Sequence, residues 1–375
     1  MAQARTGTSA HIAYIDGLKG LCGIWICLFH YLLAFAAFGY IGWESGIPQA
    51  ERAGYYFRYF PYSILSNGSF PLYVFFAVIA FLPALRFFQN GKAESVKRQA
   101  VIRYFRLMPP VLVCALCAYA VFACGGFFNQ DLAAHLDNNW DRAFYTAPLS
   151  WTGALANGLF DALWNGNSDY CSVLWCMNVI LFGSYFSYGA LLFFGSLRRR
   201  FWVYAAFFLL SFTAPVYTAF LGGLAAADVL AARGGAAQSG RWGGLLALAG
   251  LVAGIFPEVL LPSGLTEQTL FGIGAFLLLL GCARSAALQK LLSRSWLVRA
   301  GELSFALVLT HFTVLMSFSA WFFLAVQGQG LSYVPALTLT LATAVPVNYA
   351  FTLLFKLFAE GPAERFAHWI YRCVA

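Results

Sequence analysis

The sequence predicts an all-α fold, a polytopic transmembrane helical bundle of about ten membrane helices forming one domain over residues 1–375. Three observations carry this. Apolar residues make up 61% of the chain and Asp, Glu, Lys and Arg only 10%, whereas a soluble domain is about a quarter charged. Many apolar residues fall in runs of about 20, the length a helix needs to cross a bilayer. The basic residues gather in alternate polar joints, the pattern that sets membrane topology.

Taken in order, the runs cover 18–41, 62–86, 107–128, 171–197, 201–214, 216–232, 243–261, 268–283, 303–326 and 333–357. The first is too long for a signal-peptide core, and no small-residue cleavage site follows it, so it is expected to stay as a membrane helix. Pro215 splits the stretch from Phe201 to Ala232 into a tight or broken hairpin, because proline lacks the amide that a continuing helix needs. The longest polar interruption, Asn129 to Tyr170, ends in a weakly amphipathic run from Pro148 to Trp164. Two readings stand for it. One is a partly re-entrant cap; the other, which composition favours, is a loop lying on the headgroups with Trp140, Trp151 and Trp164 as interfacial anchors.

With the N-terminus placed in the cytoplasm, only Arg52, Arg58 and Arg142 of the 23 Lys and Arg residues fall on the far side. Both termini of this multi-pass cell-membrane protein are therefore expected inside. The net charge of +8 has the same origin, and no zinc-finger spacing or basic arm points to nucleic acid. Of the nine cysteines, most lie in apolar spans, and Cys114-Ala115-Leu116-Cys117 reads as packing. Only Cys124 and Cys171 are placed for a bridge in an oxidising exterior. Arg198-Arg199-Arg200 reads as a plain orientation signal, and Asp228 and Glu302 as structural partners of Arg233 and Arg299.

Two constellations can carry chemistry. The first is Ile15-Asp16-Gly17-Leu18-Lys19-Gly20-Leu21, which runs into a helix bearing His30. An ionisable group at mid-bilayer depth is costly and marks function, and a neutral imidazole there can act as a general base. Lys19 precedes His30 by about three turns and shares its face; Asp16 is expected to cap the helix, with ligand binding as its second role. The second is Arg98, Arg103 and Arg106, the last two three apart on one helix face before Pro109-Pro110, a pair suited to gripping phosphates. His311 is a further buried histidine, placed nearer the cytoplasmic side of its helix; lining the same cavity and plain packing are equally open for it.

Together these segments resemble the acyltransferase-3 family of integral-membrane O-acyltransferases. The resemblance rests on Asp16, Gly17, Lys19, Gly20 and His30; on Arg103 and Arg106 before the proline pair; on Gly222 to Asp228; on Gly301 to Ser304 followed by His311-Phe312; and on Glu360-Gly361-Pro362. The set follows the family's order along nearly the whole chain. Three positions depart: Lys19 stands for an arginine, Ile79-Ala80 for a Ser-Gly pair, and Ile180 for the glutamate that follows Trp175, with Asn178 as its nearest polar substitute.

The resemblance implies transfer of an acyl group, acetyl in most members, from acyl-CoA (acetyl-CoA) as donor substrate to a hydroxyl of a carbohydrate or lipid-linked glycan. It implies His30 as general base with Lys19 beside it. Arg103, Arg106, Lys19 and Asp16 would form the donor site, and Trp175, Asn178 and His311 the acceptor surface. No metal is expected, and membrane lipids surround the chain. The competing reading is a proton-coupled transporter or flippase of a glycan, with His30 and His311 as relay.

Overall fold

The computed structural model describes residues 12–36, 64, 67–232, 242–256 and 266–374, and among these no strand occurs. Helix α1 is Ala13–Phe35, α2 Ser69–Asn90 and α3 Ala93–Ala123. The former polar interruption holds short helices, α4 Asn129–Leu136, α5 Asn139–Arg142 and α6 Trp151–Ala156, the last continuing through a π-helical turn Asn157–Asp161 to Trp164. Then come α7 Trp175–Phe194, α8 Phe201–Leu210, α9 Tyr217–Ala232, α10 Trp242–Gly254, α11 Glu267–Arg284 and α12 Ala286–Leu292. Helix α13, Ser295–Val314, runs through a π turn Leu315–Ser319 into α14, Ala320–Gly328. Helix α15, Tyr333–Phe355, runs through Lys356–Glu360 into α16, Gly361–Val374.

Among the described residues, seven helices are long and apolar enough to cross a membrane, and α8, α9 and α10 are shorter apolar helices. The ten expected runs thus all have a helical counterpart, but three fall short of a full span. The ends of the first and seventh runs, and the start of the second, lie outside the described residues, as do Arg52, Arg58 and Arg233. The third run starts well before its expected boundary. Pro109 and Pro110 sit inside α3 without ending it; they free only the carbonyls of Phe105 and Arg106, a loss that a helix packed in a bundle tolerates.

Helices α1 and α13 form the central pair, and they run parallel with their backbones almost touching. A Cβ at Gly20 would collide with the Leu297 carbonyl, and one at Gly301 with the Asp16 carbonyl; only glycine permits that approach. Cys114 on α3 donates to the Leu309 carbonyl of α13 at 3.2 Å, which fixes the depth of α3 beside the pair. At one end α16 lies along the start of α3, where Arg98 meets His368 at 2.9 Å and Tyr371 donates to Glu94 at 3.1 Å.

The segment between α3 and α7 is re-entrant, which overturns the favoured headgroup-loop reading. The Phe128 amide donates to the Met316 carbonyl at 2.9 Å. Gly158 lies against Leu112, about 16 Å along α3 from Ala123, and Tyr104 donates to the Leu159 carbonyl. Alanines and glycines (Ala154, Gly158, Ala162) bury here, so a short helix fits between neighbours although no apolar run announces it. Trp140 is no interfacial anchor: its ring packs inside the bundle against Phe144 and Phe312.

Two smaller expectations also fail. Arg200 is more than an orientation signal, because its guanidinium grips Asp228 bidentately; the expected partner Arg233 lies outside the described residues. No ion pair joins Glu302 to Arg299 among the described residues; Lys356 instead donates to the Glu302 backbone carbonyl. All nine cysteines are free thiols. Cys171 faces Cys114, ten residues and about 15 Å before Cys124, too far for the expected bridge.

Candidate functional site

His30 and His311 meet across the α1–α13 seam. His311 Nε2 lies 3.0 Å from His30 Nδ1, and the ring centroids are 4.9 Å apart. The carbonyls fix the proton positions. His311 Nδ1 is 3.0 Å from the Leu307 carbonyl and His30 Nδ1 is 3.0 Å from the Ile26 carbonyl. A carbonyl only accepts, so each neutral ring carries its proton on Nδ1. The one His30 Nδ1–H is then shared between the Ile26 carbonyl and His311 Nε2, and the lone pair left over is on His30 Nε2. Among the described residues no hydrogen bond engages that nitrogen. His311 is fully buried while His30 is half-buried, so His30 is the more exposed of the two. Sequence position alone put His311 nearer the cytoplasmic side; the structure puts both rings at one depth.

Aromatic rings line the pair. Phe29, Trp140 and Phe312 stand 5.4, 6.0 and 6.0 Å from the His30 ring centroid. Trp140 is delivered by the re-entrant segment, which is clasped onto the end of α1. That helix leaves four carbonyls without intrahelical partners, and each is met. Ala36 N–H donates to Leu32, the Asn138 amide to Leu33 and Ala34 at 2.8 and 2.9 Å, and the Tyr333 hydroxyl to Phe35. Asn138 also reaches the Asp141 carboxyl at 2.9 Å. Asp141 is wholly buried and its other oxygen finds no partner among the described residues. Burial pushes this carboxyl up to about 8, against the opposing pull of the Asn138 hydrogen bond.

A polar mouth lies below, where Lys19 and Arg106 are set against Asp16, Glu360 and Glu364. Lys19 pairs with Asp16 at 2.7 Å. Asp16 is not the cap expected of it, because the helix begins at Ala13 and Ile12 precedes it; it is a first-turn carboxylate. Lys19 stands about 16 Å down α1 from His30, so it belongs to the mouth and does not touch the imidazole. Arg103 is about 16 Å down α3 from Cys114, whose bond to Leu309 marks the depth of the histidines. It stands among Tyr185, Tyr188 and Arg106, and its Nε is buried with no hydrogen-bond partner among the described residues. Arg106 is half exposed and reaches Glu364 at 3.4 Å. A buried guanidinium with an idle donor fits an anionic ligand.

Asn178 and Trp175 are not brought to the histidines. Both amide protons of Asn178 are spent on the Leu163 and Trp164 carbonyls, at 3.1 and 2.8 Å, so this residue fastens the re-entrant segment. Trp175 is largely exposed. Sequence reasoning missed Asn138 and Asp141 as structural anchors; their signal was an Asn-x-x-Asp spacing in a segment read as surface. It also missed Tyr31, whose hydroxyl meets Ser319 and Asn348 at 2.8 Å each, because Ser319 and Asn348 lie far away in the chain. In comparisons with protein families, curated proteins and solved structures, nothing matches this chain.

Proposed function

We propose that the chain is a membrane O-acyltransferase that moves an acyl group, acetyl first among candidates, from acyl-CoA to a hydroxyl of a carbohydrate or lipid-linked glycan. The observation that carries this is the His30–His311 pair, with a free Nε2, set about 16 Å from the polar mouth that holds Lys19, Arg103 and Arg106. An extended pantetheine arm bridges such a gap when the phosphates sit on Arg103, Arg106 and Lys19. The ordered family-like motifs support the same reading.

In this mechanism the acceptor hydroxyl gives its proton to His30 Nε2 while its oxygen attacks the thioester carbonyl. His30 becomes an imidazolium, stabilised by His311 Nε2, which accepts its Nδ1–H. The tetrahedral adduct collapses, the carbon–sulfur bond breaks, and the CoA thiolate recovers the proton from His30 Nε2. An ester and free CoA result, and the ring returns to its starting tautomer. Aromatic walls exclude water that would otherwise hydrolyse the thioester.

His30→Ala is expected to lower release of free CoA from acetyl-CoA in the presence of glycan acceptor by about 10²–10⁴-fold, while acetyl-CoA still protects the protein from heat. Undiminished release from this variant overturns the mechanism. If heat protection survives Arg103→Ala and Arg106→Ala, the phosphate clamp is lost but the base is not.

A further inference from the structure

A second feature lies where α15 packs beside the α1–α13 pair. Helices α1, α13 and α15 enclose a groove of about 590 Å³, open along one side and lined almost wholly by apolar groups. Its lips, Leu28, Val345 and Tyr349, are exposed. Trp296 and Arg299, both exposed, stand at one end, the end of the bundle that carries Lys19. Arg299 has no ion-pair partner among the described residues. At the other end the floor turns polar at Tyr31, where Asn348 donates to its hydroxyl at 2.8 Å. Tyr31 follows His30, and the apolar stretch from Arg299 to the depth of His311 is about 18 Å.

We infer that this groove binds one anionic phospholipid from the leaflet at the basic end, its phosphate on Arg299 beside Trp296 and one acyl chain laid in the groove. Length and charge both select this occupant. One leaflet contributes about 15 Å of hydrocarbon, close to the apolar stretch, and a guanidinium at the headgroup boundary attracts an anionic phosphate. The sideways opening admits a chain from the bilayer without passage through the protein. The groove is separate from the proposed donor site, and the inference does not depend on acyl transfer. It does touch the histidine pair: Leu307, which lines the groove, holds His311 Nδ1 through its carbonyl. A seated chain therefore buttresses the helices that carry both imidazoles.

The test uses the full-length protein purified in mild detergent, with bound phospholipid read by native mass spectrometry and heat stability read after adding phosphatidylglycerol or phosphatidylcholine. The wild type is expected to retain one phosphatidylglycerol and to be stabilised by it more than by phosphatidylcholine. Arg299→Gln should cut that preference about five-fold. Val345→Trp, which fills the groove from an exposed lip, should remove bound lipid of either kind. Equal stabilisation by the two lipids, or full retention by Val345→Trp, overturns the inference. Leu28→Trp provides the same blockade from α1 should Val345→Trp fold poorly.

Discussion

His30 has chemical direction because two carbonyls and one neighbouring imidazole account for every nitrogen of the pair except its Nε2. The sequence showed a histidine in an apolar run, which is enough to suspect function, but the spacing between residues 30 and 311 carries no sign of their contact. Asp141 makes the companion case. Its burial was invisible because a carboxylate among Asn and Asp residues reads as solvated. In the folded chain it titrates near 8, against about 3.9 when unfolded. Between those values the native state holds a proton that the unfolded chain has released, so stability falls as pH rises from about 4 to about 8 and flattens above. The slope should reach about 1 kcal/mol per pH unit. Denaturation midpoints for the wild type and Asp141→Asn from pH 5 to 8 check this; the Asn variant should lose the slope, and an unaltered slope assigns the effect to another group.

Among elements, the long apolar runs were legible because hydropathy and length are local properties. Boundaries were not, as α3 shows: a charged stretch, Lys97 to Arg106, continues as helix through two prolines. The re-entrant helices were misread for the converse reason, since small residues, and not hydrophobic bulk, let them bury. The α1–α13 seam depends on the same economy of side chains. Gly301→Val is expected to force the helices apart and cost about 1–3 kcal/mol, and it should also lower acyl transfer because the two imidazoles stand on opposite sides of the seam. Midpoint and turnover measured together decide it: a stable variant with broken turnover isolates geometry, and no change in either removes the seam from the account.

Across the molecule, the fold class was plain from composition, whereas the partnership of mouth, histidines and clasp required tertiary placement. Topology offers a direct check. Cys124 and Cys373 are exposed thiols near opposite ends of α3, because α16 lies beside its start. An impermeant maleimide should label Cys124 from the outer face and Cys373 from the cytoplasmic face, in line with the basic asymmetry. Labelling of both from one side contradicts a bilayer-crossing path for α3.

The backbone contact between α1 and α13 has one more consequence. A carrier that exposes its centre to each side in turn needs two bodies that rock against each other at that centre. Here the two histidine-bearing helices are zipped glycine against carbonyl below the rings, so no cushion of side chains exists over which they could slide. Under the proposed function, protons and reactants would reach the imidazoles around this rigid spine, as in a stationary chamber and not a moving gate.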